Sequence, residues 1–207
     1  MLRIVAGVCC RESGDVMFRG RRVGEEDFLH DDFAYAFRKN VGLIFQDPDV
    51  QLFCPSVFDE VAFGPLQLCL KREEVLDAVN KALEVFDIEH LRNRSPHHLS
   101  GGEKKRVALA CVMVMDPIIL LLDEPTAALD PKSQTRMTDL LERWHTVSRS
   151  IIFATHDLQL VSRIADQCVV LANGRLLATG SPRDILSDVD LLDQANLLDA
   201  RTAQAAR

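Results

Sequence analysis

The run Ile118–Leu122 is apolar throughout and ends abruptly in two adjacent carboxylates, Asp123 and Glu124. No other stretch restricts the fold as much. A strand that is apolar on both faces must be covered on both faces, which is the situation of parallel sheets flanked by helices. Val41–Phe45, Ile151–Ala154 and Cys168–Leu171 share its character. Between these runs lie helical patterns. Lys71–Phe86 puts Val75, Leu76, Val79, Leu83 and Phe86 on one face, and Ser133–Val147 and Leu158–Ile164 also read as helices. Strands alternating with helices predict an α/β fold with all four runs in one parallel sheet.

Asn173-Gly174 joins two strand-like runs and suits a type I′ hairpin, whose central residues both need positive φ. After Gly180 short polar helices are expected, and Arg201–Arg207 reads as a frayed tail. At the other end, Met1–Ala6 reads as the rear of an apolar helix, leading through Gly7 to a strand-like run, Asp15–Val23.

Composition removes several function classes. The net charge is -7, which argues against a nucleic-acid binder that works by neutralising phosphates. The longest apolar stretch, Val107–Leu122, is broken by Asp116-Pro117, and neither half could span a bilayer. The first residues do not read as a signal peptide. Cys9, Cys10, Cys54, Cys69, Cys111 and Cys168 form no CxxC pair and have no histidines at zinc-ligand spacing, so reduced thiols are expected. Cys111 and Cys168 fall in apolar runs as small hydrophobes. His97-His98 and His30-Asp31-Asp32 lack a partner cluster and read as solvated loops.

Ligand sites of open α/β sheets lie at the carboxyl ends of strands. There Asp123 can hold Mg²⁺ that bridges nucleotide phosphates, and Glu124 can orient or deprotonate an attacking water. Taken alone, an acidic turn after a core strand carries even odds. A further signal is Leu99–Arg106, LSGGEKKR. Ser100 is a good N-cap, Gly101-Gly102 allow close backbone approach, and the helix beginning near Glu103 turns its positive end to the same spot, an anion site suited to phosphate. Alone, it reads as an ordinary glycine-rich helix start.

The order LSGGE, helix, hhhhDEP, then a strand followed by histidine resembles the ABC ATPase family. The resemblance implies a P-loop NTPase core with a parallel sheet and an inserted helical subdomain, approximately 48–115, in a single domain spanning 1–207. By that resemblance Leu99–Glu103 is the signature motif, with Ser100, Gly101, Gly102 and Glu103 contacting nucleotide. Ile118–Glu124 is the Walker B strand, Ala128–Asp130 the D-loop with Asp130 near the nucleotide, His156 the switch histidine and Gln46 the Q-loop glutamine. Glu124, His156 and Gln46 are then catalytic, and Asp123 and Gln46 bind metal. The implied cofactors are ATP and Mg²⁺. The implied partners are a transmembrane transporter subunit and a second, identical or different, ATPase subunit, with no nucleic acid. The implied location is the cytoplasmic face of the membrane, as a peripheral subunit.

Gln46–Pro65, QDPDVQLFCPSVFDEVAFGP, and the run TGSPRDILSDVDLL resemble the cobalt, nickel and vitamin importers of the energy-coupling-factor group. That resemblance implies exposed Leu52, Phe53, Phe58 and Phe63 in a groove for the helices of the membrane partner. No lysine in the chain follows a glycine, so no GxxxxGK[ST] loop is present. MLRIVAGV and RESGDV resemble the segments that follow this loop in the family, so the chain is expected to begin just after it. Two accounts stand. In one, the natural protein is an ordinary transport ATPase, which the intact Gln46, Asp123, Glu124 and His156 favour. In the other, the short form is a non-hydrolysing partner that completes another subunit's ATP site. A soluble ABC ATPase of DNA repair or translation is a third reading, disfavoured by the charge and by the lack of long insertions.

Overall fold

A computed structural model describes residues 1–68 and 70–198. Cys69 and the Arg201–Arg207 tail therefore lie outside the described residues. In chain order the elements are α1 (Leu2–Val5), β1 (Val16–Phe18), β2 (Arg21–Val23), α2 (Asp31–Asn40), β3 (Val41–Ile44), α3 (Val57–Gln67), α4 (Arg72–Val85), α5 (Gly101–Met113), β4 (Ile119–Asp123), α6 (Pro131–Trp144), β5 (Ser150–Ala154), α7 (Leu158–Ile164), β6 (Cys168–Ala172), β7 (Arg175–Gly180), α8 (Pro182–Ser187) and α9 (Val189–Gln194).

The parallel sheet has the order β3-β4-β5, with the Walker-B-like run in the middle. Its central position explains the unbroken apolar run. Leu120 and Leu122 face a core formed with α3, α4, α5 and α6, including Val61, Val79, Leu83, Val107 and Leu141. Leu121 points the other way, into a separate core with Leu2, Val23, Phe37 and Val41. Every side chain from Leu120 to Leu122 is fully buried. Fully burying each leucine contributes about 1.5–3 kcal/mol, so this strand anchors both layers.

The fourth predicted strand is a correction. Cys168–Ala172 is not part of the parallel sheet; it pairs antiparallel with β7 in its own two-stranded sheet. Its burial alternates, with Cys168 and Val170 buried and Val169 and Leu171 exposed, so only one face is covered. The apolar run overstated coverage here and does not encode which strand is the neighbour, and the two-residue turn puts β7 within immediate reach. That turn is as expected: Asn173 has φ 50° and Gly174 φ 72°.

The run Asp15–Val23 is not one strand but a hairpin, β1 and β2, turning at Arg19-Gly20, where both residues take positive φ. His30-Asp31-Asp32 is not a loop either. His30 precedes α2, and the two aspartates occupy its first turn, where negative charge is favourable. α1 closes in a Schellman arrangement, with Val8 N–H donating to Arg3 C=O at 2.8 Å and Gly7 N–H to Ile4 C=O at 3.0 Å. Gly7 supplies the left-handed φ of 70°. The helix predicted over Ser133–Val147 runs Pro131–Trp144 instead, because Asp130 caps it and Pro131 is preorganised at its first position.

Leu52 is a second correction. It is 4% exposed, within the α3–α6 core, whereas Phe53 is 65% exposed. The clamp is Glu60, itself buried on α3, whose Oε2 accepts from Phe53 N–H at 2.9 Å and Cys54 N–H at 2.6 Å and draws the loop inward. Phe58 is partly buried beneath the Arg92 guanidinium, 4.5 Å from the ring centroid. Only Phe53 and Phe63 of the four are exposed, packed edge-to-face with centroids 5.0 Å apart. Cys168 is buried and Cys111 partly so, and the described cysteines are free thiols.

Candidate functional site

Strand register fixes which sequence-predicted residues meet. Ile44 pairs with Leu122, and Asp123 pairs with Ala154. Gln46, Glu124 and His156 therefore leave the carboxyl ends of three adjacent parallel strands at one rim, where ligands of open α/β sheets bind. Gln46 is exposed at this rim. Asp123 ends β4, and no described side chain or backbone amide hydrogen-bonds its carboxylate. A carboxylate left available in this way suits Mg²⁺, which takes one or two protein carboxylates together with phosphate and water oxygens and needs no larger cluster.

Glu124 is held at both carboxylate oxygens. Thr155 Oγ1 donates to Oε2 at 2.9 Å, while the His156 backbone N–H reaches Oε1 at 3.1 Å. His156 Nδ1 lies 2.7 Å from the same Oε1. A carboxylate only accepts, so Nδ1 carries the proton in this contact. The Glu124 side chain is 17% exposed and that of His156 is 75% exposed, a mostly enclosed acid beside an open imidazole. Behind them, Asp157 caps α7 through the amides of Gln159 and Leu160 and accepts from the buried Thr126 hydroxyl at 2.9 Å. That bond ties the turn after β4 to the turn after β5.

The glycine-rich segment forms a separate cluster. Ser100 caps α5 in a reciprocal capping box: Glu103 N–H donates to Ser100 Oγ at 3.4 Å, and Ser100 N–H and Oγ reach Glu103 Oε2, both at 2.7 Å. These bonds from Ser100 hold the Glu103 carboxyl below its ordinary range. A side chain at Gly101 would meet nothing within 4 Å, so the helix start is open, whereas Gly102 faces Leu129 and Ser133. Asp130, assigned to nucleotide from sequence, is engaged as the α6 cap. It accepts from Ser133 Oγ at 2.5 Å and from the amides of Lys132 and Ser133, which lower its carboxyl in turn. No hydrogen bond links Ser100, Gly101, Gly102 or Glu103 to Glu124 or His156. The structure thus joins Glu124 with His156 on one rim shared with Gln46 and Asp123, and does not bring the signature segment into that hydrogen-bonded cluster.

Sequence reading missed Thr155 and Lys105. Thr155 precedes His156 at the end of a strand, and a hydroxyl there had a readable signal only through its proximity to the histidine. Lys105 follows the signature and is buried. Its Nζ donates to the carbonyls of Glu124, Pro125 and Ala127 at 2.9, 3.4 and 2.6 Å. Burial draws its ammonium below the ordinary lysine range, with the Glu124 charge pulling back.

Comparison with known proteins fits this geometry. Residues 1–127 match a family model described as ABC transporter. The nickel import ATP-binding protein NikO of Rhodobacter capsulatus is 48% identical over 201 residues, covering 96% of this chain and 79% of that protein. The energy-coupling factor transporter ATP-binding protein EcfA of Methanocaldococcus jannaschii is 41% identical over 197 residues, covering 95% of this chain and 69% of that protein. Among solved structures, cbiO1 from Clostridium perfringens, part of the ABC transporter complex cbiONQ, superposes with a TM-score of 0.77 at 35% identity, covering 98% of this chain and 80% of that one.

Proposed function

This chain belongs to the ABC transporter family, and from that premise we propose that it is the ATP-hydrolysing subunit of a nickel, cobalt or vitamin importer of the energy-coupling-factor type. The observation that carries the site assignment is the fixing of the Glu124 carboxylate by Thr155 and His156, at the rim shared with Gln46 and Asp123. Glu124 accepts the proton of the attacking water. Two oriented oxygens, one beside an exposed imidazole, support that role. His156 and Gln46 orient the water and the terminal phosphate. Asp123 would hold Mg²⁺, which when bound offsets charge on the phosphates.

Ser100, Gly101 and Gly102 form a helix start outside that cluster, open at Gly101, which supports contact with ATP held by a second ATPase subunit, identical or not. Glu103 and Asp130 act there through their caps, by orienting Ser100 and the start of α6. The helical layer α3–α5 is read as a subdomain within residues 48–115. The exposed Phe53–Phe63 pair, with Val50 and Leu66 also exposed, supports contact with helices of a membrane subunit. No helix among the described residues is long and apolar enough to cross a membrane; the transporter relatives are what support a peripheral position on the cytoplasmic face.

The test is Glu124→Gln in the native transporter complex, following phosphate release and the association of ATPase subunits with ATP. The expected result is loss of turnover with ATP-bound subunits held together. Continued hydrolysis would remove Glu124 from the base role.

A further inference from the structure

Lys105 is 8% exposed, an unusual state for a lysine. All its acceptors are main-chain carbonyls of one turn, the link from β4 to α6, and an ammonium has three protons to match the three oxygens. The turn is strained. Glu124 has φ 48° and Ala128 φ 59°, left-handed values for residues other than glycine. Each costs on the order of 1–2 kcal/mol and persists only where its surroundings over-determine it.

The strain has a purpose that strand parity makes visible. Continued as extended strand, Glu124 would share the face of Leu120 and Leu122, which is covered by α5 and α6. The left-handed bend takes its carboxylate to Thr155 and His156 instead. Glu124 N–H still closes the ladder to Ala154 C=O at 2.9 Å, but its own carbonyl accepts instead from Lys105 Nζ at 2.9 Å and from Ala127 N–H at 3.2 Å. The neighbouring Lys104 points elsewhere, to Asp49 at 2.6 Å, so the contact is not a general property of basic residues on this helix.

We infer that Lys105 is a positioning residue: its three N–H bonds hold the Glu124–Ala128 turn in the left-handed form that aims the Glu124 carboxylate at Thr155 and His156. Its catalytic consequence rests on the ATPase reading above; its anchoring does not.

The decisive measurement is amide hydrogen exchange on the chain itself, for the wild type, Lys105→Met and Lys105→Gln. Methionine keeps the bulk and removes every donor, whereas glutamine keeps two N–H groups and loses the charge. In Lys105→Met the amides of Ala127 and Leu129, whose bonds to Glu124 C=O and Thr126 C=O close the turn, should exchange about tenfold faster, the equivalent of roughly one lost hydrogen bond. Peptides of β5 and α6 should be unchanged. In Lys105→Gln the same amides should accelerate about threefold, since part of the donation survives. Glutamine therefore decides the matter even if the methionine variant does not fold. Unchanged exchange, or acceleration spread evenly over the chain, would overturn the anchoring. In the native transporter complex Lys105→Met should lower kcat about tenfold at unchanged KM for ATP, with glutamine restoring part of the loss. A wild-type kcat, or a change in KM alone, would overturn the positioning of Glu124. A wild-type complex that releases no phosphate would count against the ATPase reading, with the exchange result still deciding the anchor.

Discussion

Replacing Glu60 tests how the loop after β3 is held. The carboxylate is 4% exposed, and one oxygen accepts from the amides of Phe53 and Cys54. In Glu60→Ala both amides lose their acceptor, at about 1–3 kcal/mol for each group left unsatisfied. Phe53 lies at the surface, so water can reach part of the loop, and the low end applies: about 2 kcal/mol in total. Glu60→Gln keeps an accepting oxygen and loses only the charge assistance, about 1 kcal/mol. With a urea slope of about 2 kcal/mol per molar, the denaturation midpoint should fall by about 1 M for alanine and half that for glutamine. A second readout is local. The Cys54 thiol is raised to about 11, first by burial and then by the Glu60 charge. Removing that charge should speed alkylation of Cys54 in the folded protein at fixed pH. An alanine variant with the wild-type midpoint, or one no different from glutamine, would refute the clamp. Unchanged Cys54 reactivity would refute the charge acting on the thiol.

The remaining predictions concern the two clusters. Thr155→Val removes the donor to Glu124 Oε2 and should lower kcat for ATP in the native complex about 10–100-fold, the equivalent of one bond to a charged group, with KM little changed; steady-state phosphate release checks it, and a kcat within about twofold of the wild type would speak against orientation by Thr155. Glu103 has a folded-state carboxyl below its ordinary value, so its stabilisation is present above the unfolded carboxylate range and is lost as pH falls through the folded value. Glu103→Gln should melt lower than the wild type at neutral pH, with the gap closing on acidification. A gap of constant size in thermal melts across that range would contradict the capping role.

How much of this was legible in the sequence depended on how local the cause was. β4 could be read because burial on both faces demands an unbroken apolar run; β5 carries the same kind of run although Ile152 is exposed, so there the reading succeeded on composition and not on burial. The carboxyl-end rim followed from the strands being parallel. The β6–β7 turn could be read because Asn-Gly carries its own backbone preference. The partner of Cys168–Ala172 could not, since periodicity reports a covered face and not a neighbour. Leu52 was misjudged because its burial depends on Glu60, eight residues on, folding back to collect two amides. Nothing in the sequence separates Lys105 from Lys104; only the approach of a distant turn to one and of Asp49 to the other does. In the site, Glu124 and His156 stood out by residue type and position. The hydroxyl of Thr155 did not, because threonine is also an ordinary strand former.

The opposed burial of Leu120 and Leu122 against Leu121 turns β4 into a ruler. Deleting or inserting a single residue within Ile119–Asp123 would exchange the two faces of the strand and move its acidic end by about 3.3 Å. The spacing from Leu120 to Glu124 is therefore a fixed length in this fold, because any change in it moves the acidic end off the rim.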